Sequence, residues 1–279
     1  MSPTAIPGNL ILKSRSSWNP TFISTALWLD AADPGTITES GGAVSQWDDK
    51  SGNNHHVVQA TAAARPTYSA TAFNGQPTIF FDATDDLLAC ATTTVSSQGD
   101  LFYAAVFEML SDIGAWRPIV GTNTSETSSR GGTLMLQRMS TRSQIGVHDA
   151  GRVDTGSTYA VEVTNLFIPR IATAGRSGGT QGNGGTITIT ATGPSQPSYL
   201  TQAVQTWATG ESTSRIQIGG RQQTGTLGYS NSRISEVVVM NRNATTTERQ
   251  KIEGYLAHKW GLTGDLPSNH PYKTVEPTI

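Results

Sequence analysis

The segment Leu101–Met109 (LFYAAVFEM) is apolar at both parities of a strand, with Glu108 the only interruption. A strand that faces water on one side alternates apolar with polar residues, whereas one without a polar face must be covered on both sides. This stretch therefore requires a layered protein with a strand running through its interior. Other short apolar runs, 27–29 (LWL), 77–81 (PTIFF) and 233–241 (RISEVVVMN), are separated by clusters of Gly, Asn, Asp and Ser. That spacing is the pattern of an all-β chain. Further strands are expected at 117–121, 133–138, 144–147, 159–164, 166–172 and 215–218. Segment 186–190 (TITIT) should present Ile on one face and Thr on the other. The Gly-rich stretch 175–185 reads as a hairpin loop or bulged turn, because neither a Lys-Ser nor a Lys-Thr pair follows it to cradle a phosphate.

One helix is expected, at about 246–260. Thr245 and Glu248 have capping-box spacing, Ile252, Tyr255, Leu256 and Trp260 fall on one face, and Gly261 suits a left-handed cap. Residues 1–25 read as an extended arm, since Pro3, Pro7 and Pro20 bar a regular helix. Residues 26–279 then form a single domain, of a length common for one β-sandwich.

Only 14% of the 279 residues are charged, and the net charge is −2. An average globular chain carries about 25% charged residues. So neutral a surface excludes the concentrated Lys and Arg that nucleic acid or an anionic membrane surface demands. No run approaches the ~18 apolar residues of a membrane helix, and residues 1–12 lack the charged start of a secretory leader. Synthesis in a cytoplasm is the resulting expectation. Cys90 is the single cysteine, which rules out an intrachain disulfide and points to a small buried hydrophobe.

Several segments together resemble the concanavalin A-like lectin/glucanase superfamily, in particular its laminin-G-like jelly-roll branch of phage and bacterial proteins. They are 27–31 (LWLDA), 47–53 (WDDKSGN), 65–68 (RPTY), 74–77 (NGQP), 81–87 (FDATDDL, with Ala83 where Gly is usual), and, near the end, 234–239, the helix and 270–272 (HPY). The resemblance spans roughly residues 26–273, and 95–230 match only in strand character. It implies an antiparallel jelly-roll β-sandwich with one C-terminal surface helix.

The candidate chemistry is sparse. Asp82, Asp85 and Asp86 offer hard oxygen ligands in one loop and could hold Ca²⁺, although such acids also shape Asx turns by accepting backbone N–H bonds. No other cofactor is implied. Asp48 and Asp49 invite the same two readings. Trp116, Trp207 and Tyr229 fall near expected loops and are candidate platforms for a sugar ring, while Trp28, Trp47 and Trp260 belong to the motifs and are expected in the core. Adjacent His55 and His56 would point to opposite faces of a strand. Hydrolase members of the superfamily usually carry Glu-x-Asp-x-x-Glu on one strand. That triplet is missing here, and Glu108 and Glu236 are isolated in sequence.

These observations lead to the expectation of a non-enzymatic bacteriophage virion protein, a tail, fibre or capsid-surface component. Its partners would be other virion proteins and sister subunits, with host-surface glycan as a further ligand. A free-standing bacterial glycan-binding lectin, with or without Ca²⁺, is the alternative, and a glycoside hydrolase the third reading.

Overall fold

The computed structural model describes residues 16–92, 95, 99–111, 117–123, 134–138, 144–149, 157–162, 167–177, 185–193, 198–204, 215–223 and 226–279. Its first strands are β1 (Leu27–Asp30), β2 (Ile37–Ser40), β3 (Ala43–Trp47), β4 (Val57–Val58), β5 (Thr67–Phe73), β6 (Gln76–Asp82) and β7 (Leu88–Cys90). The middle of the chain supplies β8 (Leu101–Met109), β9 (Arg117–Asn123), β10 (Leu134–Arg138), β11 (Gln144–Asp149), β12 (Ser157–Glu162) and β13 (Arg170–Ser177). There follow β14 (Gly185–Ala191), β15 (Ser198–Val204), β16 (Arg215–Ile218), β17 (Gly220–Gln223), β18 (Thr226–Tyr229), β19 (Asn231–Met240) and the helix α1 (Thr246–Lys259).

Seventeen of the described strands pair antiparallel in one curled sheet that folds over into two layers, and β17 and β18 form a separate antiparallel pair. One layer runs β15-β14-β13-β8-β19, with β1 and β6 sharing the far edge of β19 and β5 outside β6. The other runs β2-β3-β4-β7-β16-β9-β10-β11-β12. The pairing of Ala43 in β3 with Thr67 in β5 joins the two layers. This is the all-β sandwich expected from the sequence, and α1 lies on the outside of the first layer.

The continuous apolar run of β8 now has its reason. Leu101, Tyr103, Ala105, Phe107 and Met109 face the core between the layers, and Phe102, Ala104 and Val106 face a second core under α1. β19 does the same with a phase change. Its pairing with β8 slips between Ile234 and Glu236, so Ser235 is an extra residue in the ladder. The bulge lets Ile234, Val237 and Val239 all reach the inner core and turns Glu236 toward the helix. Ile252, Leu256 and Trp260 of α1 close the outer core together with Trp18.

The capping box holds as spaced: Thr245 Oγ1 accepts from the Glu248 N–H at 3.2 Å, and Glu248 Oε2 accepts from the Thr245 N–H at 2.9 Å. Gly261 adopts φ +70° after the last turn, as a left-handed cap requires. Arg242 also binds Glu248, at 2.6 Å and 2.9 Å, and it is the main reason the Glu248 carboxyl is pulled down to about 2. A depressed folded-state value means stability that is present above the unfolded value near 4.5 and lost as pH falls through that range toward 2. Glu248→Gln should therefore lower stability at pH 7 by about 1 kcal/mol, the size of one cap plus one screened surface pair. The difference between variant and wild type should vanish near pH 2 in urea melts, and a pH-independent difference would contradict the assignment.

Some strand expectations need correction. The strand placed at 166–172 begins only at Arg170, and it continues through Ser177 into the stretch read as loop. Gly175 belongs to this strand, paired with Thr188 and Phe102, and is glycine because a Cβ there would run into the Asn243 side chain. β13 and β14 pair antiparallel, with Ser177 opposite Thr186, and 178–184 lie outside the described residues. The arm read at 1–25 falls largely on residues outside those described. From Ser17 onward the chain is tied down, by a bridge to Thr278, a bond from the Trp18 N–H to the Pro277 carbonyl, and burial of the Trp18 ring.

Among the described residues no helix is long and apolar enough to cross a membrane.

Candidate functional site

Several motif residues are consumed by structure. Asp49 accepts from the backbone N–H groups of Trp28, Ser51 and His55 and from the Ser51 hydroxyl, all within 3.0 Å. The WDDKSGN segment is thus a turn that staples β1 in place, with Asp49 occupied by backbone donors and Asp48 by the side chains of Gln46 and His56. His55 Nδ1 bonds the Ala26 carbonyl at 2.8 Å, and His56 Nδ1 takes the Asp49 N–H at 3.1 Å while lying 3.1 Å from Asp48. Trp28, Trp47 and Trp260 are buried, as is Cys90.

Glu236, isolated in the sequence, is the hub of the outer core. Its fully buried carboxylate accepts from Trp28 Nε1 at 2.7 Å, Trp260 Nε1 at 2.6 Å and the Tyr255 hydroxyl at 2.9 Å, and pairs with Lys259 at 2.8 Å. Lys259 reaches Asp30 as well, at 2.6 Å. Burial pushes the Glu236 pKa up and Lys259 pulls it back. Four donors converging on two oxygens call for the ionised form, which has only acceptors. The hub is saturated and its function is to fasten the helix.

The acidic turn between β6 and β7 is built differently. Phe81 is buried, so the chain leaves the core at Asp82. Asp82 Oδ1 accepts the Thr84 N–H at 2.8 Å, and Asp86 Oδ2 accepts the Asp82 N–H at 3.0 Å. Ala83 takes φ +69°, a left-handed conformation that explains why Gly would be the easier residue there. Its N–H is held by the Ser230 carbonyl at 3.1 Å.

These bonds fold the turn so that one carboxylate oxygen from each of Asp82, Asp85 and Asp86 lies within 4.8 Å of the others. Asp82 is exposed, Asp85 half-buried and Asp86 buried. Among the described residues no cation pairs with any of them. Burial, helped by the charges of Asp82 and Asp85, raises the Asp86 carboxyl to about 6.

The hairpin of β17 and β18 brings Tyr229 to the same place. Gly220 allows this, since a Cβ there would stand 2.9 Å from the Tyr229 ring and 3.2 Å from the Asp86 carbonyl. The tyrosine hydroxyl titrates above its usual range, through burial first and the Asp85 charge second. Arg117 fixes the strand end by donating to the Tyr229 carbonyl at 3.2 Å. Two groups of sequence candidates, the three acids and Tyr229, are therefore neighbours. Trp116 and Trp207 lie outside the described residues. Sequence reasoning had no means of joining Tyr229 to the turn, because the contact runs through a glycine on a separate hairpin.

Three carboxylates with free lone pairs suit a hard cation, which wants six to eight oxygens, and equally suit sugar hydroxyl donors. An adjacent half-exposed ring can take the C–H face of a sugar.

No family model matches the chain, and no curated protein matches it. Solved structures do. A Trypanosoma rangeli sialidase in complex with 2,3-difluoro-KDN aligns with a TM-score of 0.57 at 12% identity, over 91% of this chain and 36% of that one. The same sialidase in complex with sialic acid aligns at 0.55 and 14%, over 84% and 33%. A mutant GH54 α-L-arabinofuranosidase soaked with 4-nitrophenyl α-L-arabinofuranoside aligns at 0.53 and 12%, over 90% and 61%. This chain thus corresponds to about a third of the sialidase and less than two thirds of the arabinofuranosidase.

At such identity the likeness establishes the fold. It also overturns two expectations. The expectation of a bacteriophage virion component is overturned, because the sialidase and the arabinofuranosidase named here are glycoside hydrolases. The same finding removes the ground for holding that the chain is not an enzyme, which had rested on a missing sequence triplet.

Proposed function

We propose that this chain is a carbohydrate-binding β-sandwich of the concanavalin A-like type, which takes saccharide at the acidic turn 82–86 with Tyr229 as its platform. The observation that carries this reading is the convergence of three carboxylates, within 4.8 Å of one another, beside that tyrosine ring. The segments WDDKSGN and FDATDDL support the finer kinship: both form tight Asx-type turns around an Asp that accepts a backbone N–H two residues on. A divalent cation, Ca²⁺ by the hardness of the ligands, completes the site by offsetting the carboxylate charge and offering coordination positions to sugar hydroxyls.

Calcium titration by thermal shift tests the cation. Ca²⁺ at about 100 times its dissociation constant should stabilise the protein by ~2.7 kcal/mol. The effect should be larger at pH 7.5 than at pH 5, where Asp86 is protonated, and Asp85→Asn should remove most of it. An unchanged melting temperature in saturating Ca²⁺ at pH 7.5 would sink the cation.

Glycoside hydrolysis is the second reading, favoured by an Asp86 carboxyl raised to about 6 beside Asp82 and Asp85, the acid-and-carboxylate pairing such chemistry uses. Turnover of 4-nitrophenyl glycosides that Asp85→Asn abolishes would establish it, and turnover indifferent to that change would place catalysis elsewhere.

A further inference from the structure

A cavity of about 350 Å³ lies between α1, the end of β14 and the C-terminal tail, remote in the fold from the acidic turn. One wall is polar and fixed. The buried Glu253 carboxylate accepts from Thr190 Oγ1 at 2.9 Å, from Arg249 at 2.8 Å and 3.0 Å, and from His270 Nε2 at 3.2 Å. Thr190 is itself held by Thr173, at 2.6 Å between hydroxyl oxygens.

The histidine's state follows from its two partners. His270 Nδ1 accepts the Tyr272 N–H at 3.2 Å, so the ring proton sits on Nε2 and the imidazole is neutral. One carboxylate faces one guanidinium, and this wall carries no net charge. Leu266 and Pro267 add apolar surface, and the amides of Gln250 and Asn269 line the cavity as well.

The pocket opens to solvent, and its volume stands at the ~300 Å³ lower range of small-molecule sites. A neutral Glu253–Arg249 pair gives an ion no net attraction to offset its desolvation, and a purely apolar ligand would strip water from the Gln250 and Asn269 amides without replacing it. What fits is an uncharged molecule with hydroxyls on one side and C–H groups on the other.

We propose that this cavity is a second binding site, independent of the acidic turn, for an uncharged monosaccharide-sized ligand. Its hydroxyls bond the amides of Gln250 and Asn269 beside the internally satisfied Thr190–Glu253–His270 network, and its C–H face covers Leu266 and Pro267.

The probes are the methyl glycosides of glucose, galactose and N-acetylglucosamine, with N-acetylneuraminate as the anionic comparison, followed by heteronuclear NMR of the full chain. At least one neutral glycoside should shift the Gln250, Glu253 and His270 signals saturably. Gln250→Trp, which fills the cavity from the helix, should weaken that binding at least about tenfold. Asn269→Trp, at an exposed position, should do the same should the first variant fold poorly. The double variant Asp85→Asn, Tyr229→Ala should leave it unchanged. The inference is overturned by saturable shifts in none of the neutral glycosides at ~20 mM, by binding that survives both tryptophan variants, or by N-acetylneuraminate binding more tightly than every neutral probe.

Discussion

Glu236→Ala should destabilise the protein by about 3–5 kcal/mol, the cost of breaking a buried ion pair from one side. The magnitude comes from what is left behind. Trp28 Nε1 and Trp260 Nε1 lose the acceptor that each now reaches at 2.7 Å and 2.6 Å, in a region without water access. Each orphaned buried donor costs about 1–3 kcal/mol. The Tyr255 hydroxyl loses its acceptor too, while Lys259 keeps Asp30. Because these donors come from β1 and from α1, the loss should loosen the helix from the first layer. For a chain of this size the midpoint should fall by on the order of 10 °C. Glu236→Gln keeps the shape and one acceptor oxygen, and it should cost less than the alanine change. Thermal melts of the two variants read this directly, and equal, small losses would show that the hub contributes little.

Gly219→Ala should be as damaging, for a steric reason. Gly219 sits between β16 and β17 at φ +75°, a conformation that disfavours any side chain. A Cβ there would enter the ring of Phe81, which is fully buried and has no room to move aside. The backbone is held as well. The Gly219 N–H donates to the Ile119 carbonyl at 2.9 Å, and its own carbonyl receives the Ser230 N–H at 2.8 Å and the Ser230 hydroxyl at 2.9 Å. Left-handed strain of roughly 1–2 kcal/mol adds to an overpacking cost of roughly 1–3 kcal/mol. Phe81 immediately precedes Asp82, so the displacement should also disturb the acidic turn. Urea titration should show a loss of about 2–5 kcal/mol, together with weakened Ca²⁺ stabilisation. A variant as stable as the wild type would mean that Phe81 repacks freely.

The parts of the fold that can be read from sequence are those where burial dictates residue type on every face. β8 and the end of β19 are covered on both sides, so no polar residue interrupts them except where a partner waits: Glu108 meets Arg233 at 2.8 Å. The helix is legible because its cap is a local side-chain device. β2 and β5 are not legible, since they lie largely exposed and carry Thr, Ser and Glu like any loop. The start of β13 was misplaced because Leu166 and Phe167 look like strand residues, whereas Phe167 is exposed and the strand opens on the buried Arg170. At the candidate site the acids were visible as a cluster, and the turn that gathers them follows from Asx geometry. The role of Glu236 was invisible, because four donors from two segments distant in sequence, β1 and the helix end, make it. The Ser235 bulge that aims it has no signature in composition.

The saccharide site at the acidic turn is tested most directly by glycan-array binding of the whole chain in Ca²⁺, with Asp85→Asn and Tyr229→Ala run in parallel. The wild type should bind a defined set of glycans, and both variants should lose that set while melting within a few degrees of the wild type. Binding that is unaffected by either substitution, or no binding by a folded wild type, would contradict the assignment of this turn as the site.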